Sequence, residues 1–88
     1  MPQVFIPPQM RDLVPGSEAI HAEGATVRAI VEQLDGDYPG LKARFVDENG
    51  RLKPGINVSI NGAIASLGLR QPVSAGDEIH FLPAIGGG

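Results

Sequence analysis

The chain has no cysteine. No disulfide or thiolate metal site can reinforce it, and a cysteine nucleophile is excluded. It has two histidines, His21 and His80, far apart and without a second histidine at metal-ligand spacing. A structural or surface place is the expectation for each. It has no basic excess: seven Lys and Arg against ten Asp and Glu leave a formal charge of −3, which argues against a nucleic-acid footprint. No apolar run approaches the ~18 residues of a membrane span. The N-terminal segment through Asp12 lacks the basic flank and long apolar stretch of a secretory signal. The expectation is a cytoplasmic protein that binds neither membrane nor nucleic acid. There is no GxGxxG and no Walker-type phosphate loop. Ser17, Ser59, Ser66 and Ser74 stand in no nucleophile motif. Asp35-Asp37 and Asp47-Glu48 are close acidic pairs, read as a solvated face and a turn rather than a carboxylate dyad.

What is present fits one small domain. Of the 88 residues, 42% are hydrophobic and 19% charged, too apolar for a disordered chain. Twelve Gly and eight Pro cut the sequence into short elements, which favours α+β over a helical bundle. Gln3 to Ile6 alternates, with Val4 and Ile6 on one face and Phe5 on the other, as in a strand. Val14-Pro15-Gly16 is a turn signal. Ser17 to Ala22 reads as a second strand with Ile20 in the core, making an antiparallel hairpin. Gly24 breaks it. Thr26 then suits a helix N-cap. Val27, Ile30, Val31 and Leu34 recur at i, i+3, i+4 and i+7, the stripe of an amphipathic helix, with Arg28 and Glu32 on its outer face. Gly36 is the expected stop. Tyr38-Pro39-Gly40-Leu41 opens a second short helical piece reaching Phe45, and Asp47 to Gly50 is a turn.

Ile56 to Ile60 alternates as the clearest strand, and Asn61-Gly62 is a strong turn signal after it. Ala63 to Val73 is a connection offering Leu67, Leu69 and Val73 for burial. Ser74 to Asp77 is a turn. Glu78 to Leu82 is the last strand, closed by Pro83, with Ile79 and Phe81 inward and Glu78, His80 and Leu82 outward. A helix across one face of a mixed sheet buries these stripes. This is the order of the ubiquitin-like β-grasp roll, in which the first and last strands lie side by side in the middle. The expected division is a domain over 1–83 and a tail over 84–88.

The tail, Pro83-Ala84-Ile85-Gly86-Gly87-Gly88, has two readings. One is an inert terminus. The other is a carboxylate delivered into another protein's narrow active site, where residues without Cβ let backbone pass closely.

These residues carry a resemblance. Val58-Ser59-Ile60-Asn61-Gly62, then Pro72 to Ile79 with its Gly76-Asp77-Glu78, then Phe81 to Ile85 and Gly87-Gly88 resemble the MoaD/ThiS family of ubiquitin-like sulfur carriers. Gln9 to Leu13 and Tyr38 to Leu41 fit as well, so the similarity covers nearly the whole chain. Tyr-Pro-Gly-Leu, Asp-Glu-Asn-Gly and Leu-Pro-Ala look most like the cysteine-biosynthesis carrier branch and its MoaD-like relatives. Two segments depart from the pattern: Gly62-Ala63-Ile64-Ala65 stands where relatives have acidic-Ile-Arg after the Asn, and Gly86 replaces an alanine.

The resemblance implies a carrier that is a substrate rather than an enzyme and binds no cofactor of its own. A ubiquitin-activating-type enzyme would use ATP and Mg²⁺ to adenylate Gly88. A sulfur donor would convert the adenylate to a thiocarboxylate, and a downstream synthase would take the sulfur, for cysteine or molybdopterin first of all. Gly86 and Gly87 are the threading tail. By position in the family, Arg11, Ile64 and Leu82 meet the activating enzyme. Two alternatives are a ubiquitin-like modifier joined to lysines through Gly88 and a β-grasp interaction module with an inert tail.

Overall fold

A computed structural model describes residues 1–7, 12–14 and 19–83. Arg11, the Pro15-Gly16 turn and Gly86, Gly87 and Gly88 lie outside the described residues. The elements are β1 (Gln3–Phe5), β2 (Ala19–His21), α1 (Val27–Asp37), α2 (Leu41–Phe45), β3 (Ile56–Ile60), β4 (Ala63–Ile64) and β5 (Glu78–Pro83), with a 3-10 turn at Gly68–Arg70. The strand order is β2-β1-β5-β3-β4. β1 and β5 run parallel at the centre, and the other pairings are antiparallel. This is the α+β, β-grasp arrangement expected of a hairpin, a helix and returning strands. No helix among the described residues is long and apolar enough to cross a membrane.

One face of the sheet carries the core. Val4, Ile20, Val58, Ile79 and Phe81 point to it and are buried. They meet the α1 stripe of Val27, Ile30, Val31 and Leu34, and Leu41 and Phe45 of α2. Phe81 stacks on Phe45 with ring centroids 4.3 Å apart. The Thr26 hydroxyl accepts from the Ala29 N–H at 3.2 Å, so α1 starts at the cap read from the sequence. Just before it, Gly24 is packed so closely that a Cβ there would lie 2.8 Å from both Ala29 Cβ and Ile30 N.

Two sequence expectations give way. α1 does not stop at Gly36 but runs through it to Asp37. A helical glycine costs only about 0.5–1 kcal/mol relative to alanine, and the turn containing Gly36 is closed by the Tyr38 N–H, which donates to the Leu34 carbonyl at 2.7 Å. The chain turns instead at Tyr38-Pro39, since a residue before proline is pushed out of the helical region and Tyr38 has φ −131° and ψ 81°. The Asp35 carboxylate then accepts from the N–H groups of Gly40 and Lys42, joining α1 to α2. The second correction is Leu67, which is 54% exposed. The connection after β3 contains β4 and the 3-10 turn. That turn buries Leu69 and brings Val73 against the core, while Leu67 faces away.

Candidate functional site

β5 is the element that precedes the tail, and it is the most tightly held strand. It pairs with β1 through Glu78, Ile79 and His80 and with β3 through every residue from Ile79 to Pro83. β5, which ends at Pro83, therefore lies in the middle of the sheet between β1 and β3.

Strand alternation and register decide what surrounds that point. Paired residues on neighbouring strands share a face. Ala19, Phe5, His80, Ser59 and Ile64 form one row across all five strands. Leu82 follows His80 on the same face, opposite Asn57. This face is turned away from the helices. Ile64 is 62% exposed and Leu82 41%, so the outward placement of Leu82 read from the sequence holds. Ile64 and Leu82 are separated by β3, roughly 10 Å across the strands. Between them Ser59, Asn61, Gly62, Glu78, His80 and Leu82 line a shallow open depression.

The His80 ring stacks on Phe5 at 4.3 Å and 3°, and its Nε2 lies 3.8 Å from a Glu78 carboxylate oxygen. The sequence placed both rings on outward positions. Their stacking depends on the parallel β1–β5 register, which no local pattern shows.

A polar clasp closes one end of this face. Asn61 donates its amide to Asp77 at 2.9 Å and accepts the Glu78 N–H at 2.9 Å. The second Asp77 oxygen accepts the Ser74 N–H at 2.8 Å. The Ser74 and Asn61 donors hold the Asp77 carboxyl below the usual carboxylate range. Asn61 and Gly62 both have positive φ, 52° and 89°, as a two-residue hairpin turn of the mirror-image type requires. The Asn-Gly and Gly-Asp-Glu motifs thus join the β3–β4 turn to the start of β5.

The acidic pairs have structural places. Asp35 caps α2, and Asp47 accepts the Asn49 and Arg51 N–H groups within its turn. Glu32 pairs with Lys42 on the outer face, which lowers its carboxyl below the usual range. Arg44 pairs with Asp12 at 2.7 Å, with the same effect on Asp12. Among the described residues no group of three or more His, Asp or Glu is placed to hold a metal ion.

The ThiS family model matches residues 4–88. The sulfur carrier protein CysO of Mycobacterium tuberculosis is 32% identical over 97% of this chain and 96% of its own. Among solved structures, a chain of the Amycolatopsis orientalis BexX/CysO complex matches with TM-score 0.90 and 36% identity over 100% of both chains. The small archaeal modifier protein 1 of Methanosarcina acetivorans matches with TM-score 0.80 and 28% identity over 99% and 95%. The shared topology, the Asn-Gly and Gly-Asp-Glu clasp and a match running through Gly88 lead to one conclusion: the chain belongs to the ThiS family.

Proposed function

We propose that this chain carries sulfur on the carboxyl group of Gly88. The observation that carries the reading is the ThiS match, which runs from the first strand through Gly87-Gly88. In the proposed cycle a Gly88 carboxylate oxygen attacks the α-phosphorus of ATP on a partner adenylating enzyme, and pyrophosphate leaves. A nucleophilic sulfur from the donor then attacks the acyl carbon of the adenylate and expels AMP. With hydrosulfide as that donor, loss of its proton leaves a thiocarboxylate on Gly88, which a downstream synthase uses as a nucleophile. ATP and Mg²⁺ belong to the partner; this chain contributes the terminal glycine, Gly86 and Gly87 as a slender lead, and a face to dock on. Leu82 and Ile64 are the apolar anchors of that face, and Arg11, by its position in the family, is the third residue proposed to meet the partner. Cysteine formation is the favoured destination of the sulfur, in line with the likeness to CysO, and molybdopterin synthesis is the other.

Intact-mass analysis of protein from its own host, with the activating enzyme and sulfur donor present, tests the proposal. The expected result is a fraction heavier by the difference between sulfur and oxygen, located on Gly88. Carboxylate alone under sulfur-replete conditions refutes it. The likeness to an archaeal modifier protein supports a second reading, conjugation of Gly88 to lysines. The same spectra separate the two, since conjugation yields isopeptide-linked products. An added residue after Gly88 that leaves function unchanged would instead favour an inert tail.

A further inference from the structure

A second surface lies away from the sheet face. Gly50, Arg51 and Leu52 on one side and Leu67, Gly68, Leu69 and Arg70 on the other line a cavity of about 200 Å³. It shares no lining residue with the depression beside Leu82. Three leucines contribute to its walls, and Leu67 is 54% exposed. Its size suits one large apolar side chain rather than a drug-sized ligand, whose clefts run ~300–1,000 Å³.

The rim is positively charged in a chain of net charge −3. Arg51 and Arg70 line the cavity, and both are exposed. Neither is in an ion pair among the described residues. Arg28 of α1 adds a third guanidinium: a Cβ built on Gly50 would lie 3.1 Å from its Nη2. No carboxylate is among the lining residues. The nearest acids in sequence are Asp47, which accepts the N–H groups of its own turn, and Glu48, which is exposed and lines a different depression. An apolar socket flanked by guanidinium groups complements an apolar side chain flanked by carboxylates, because arginine binds carboxylates in two-pronged fashion.

We propose that this cavity is a second docking site, occupied by an acidic–apolar segment of a partner protein. One leucine or phenylalanine of the segment enters between Leu52, Leu67 and Leu69. The carboxylates on either side of it pair with Arg51 and Arg70. Such a grip holds the carrier without covering β5 or the Leu82 face, so it remains compatible with a tail inserted elsewhere. The proposal rests on this surface alone and stands whether or not Gly88 carries sulfur.

The test is titration of the isotope-labelled full chain with the acetylated peptide Glu-Asp-Leu-Phe-Asp-Glu, read by amide NMR. The expected result is saturable shifts confined to residues 50–52 and 67–70, weakened by added salt. A doubly substituted Arg51→Glu, Arg70→Glu chain should bind at least ~10-fold more weakly, the loss of about 1.4 kcal/mol. Leu67→Asp, at an exposed position, should weaken binding while leaving the rest of the spectrum in place. Absence of saturable shifts overturns the proposal, as do shifts centred on Leu82 and Ile64. Equal shifts with inorganic phosphate alone, or with a Lys-Lys-Leu-Phe-Lys-Lys peptide, overturn it too, since they point to a small-anion site or to unselective contact.

Discussion

Leu82→Asp separates docking from folding at a single strand position. Fully burying a leucine is worth about 1.5–3 kcal/mol. Leu82 has 41% of its surface left to cover, so a partner seated on it recovers about 0.6–1.2 kcal/mol. With 1.4 kcal/mol to each factor of ten, Leu82→Ala should lower kcat/KM for adenylation of Gly88 about 3- to 7-fold. Leu82→Asp also places a carboxylate in a dry contact. An unpaired buried charge costs several kcal/mol, so the loss should reach about 100-fold or more. The free protein should change little. Aspartate is a poor strand residue, but that scale spans only ~1 kcal/mol, a fall in Tm of no more than about 4–8 °C. The assay is pyrophosphate release with the cognate activating enzyme, beside thermal unfolding of each variant. Adenylation by Leu82→Asp within about twofold of the unsubstituted protein, with the fold intact, would show that this face does not dock.

Phe81→Ala, one residue earlier and on the opposite face, should destabilise by about 3–5 kcal/mol in urea unfolding, because it empties a fully buried site and removes the stack on Phe45. Deleting Gly87 and Gly88 should abolish thiocarboxylate formation and leave Tm unchanged, since glycines have no side chains to bury; a large fall in Tm would mean that the tail is packed. Asp77 gives a pH dependence. Its folded pKa is depressed, so its contribution is present above the unfolded value and is lost as pH falls through the folded one. The Tm deficit of Asp77→Asn should therefore be constant at neutral pH and shrink below about pH 4. A deficit that stays constant to lower pH would show that the clasp does not depend on the charge.

The candidate site was legible in part. Alternation along Glu78 to Leu82 was enough to turn Leu82 outward, because side chains in a strand switch faces at every residue. Ile64 came only through the family resemblance: β4 is two residues long and carries no period of its own. The Phe5–His80 stack and the Asn61–Asp77 clasp join residues that sit far apart in the chain. The second cavity is likewise built across two loops.

Sequence by itself determined what depends on neighbours along the chain. The Thr26 cap, the α1 stripe, the Asn61-Gly62 turn and the faces of β3 and β5 follow from side-chain size, hydrogen-bonding groups and allowed backbone angles within a few residues. Tertiary structure alone decided what depends on competition between distant segments. α1 passes through Gly36 because its last turn is closed by the Tyr38 N–H on the Leu34 carbonyl and docked onto α2, whose first N–H groups Asp35 accepts. Leu69 rather than Leu67 enters the core because the 3-10 turn packs against the start of α1, where the Val27 N–H donates to the Gln71 carbonyl at 3.0 Å. Apolar character is the same for both leucines; only the path of the backbone, set by partners more than forty residues away, chooses between them.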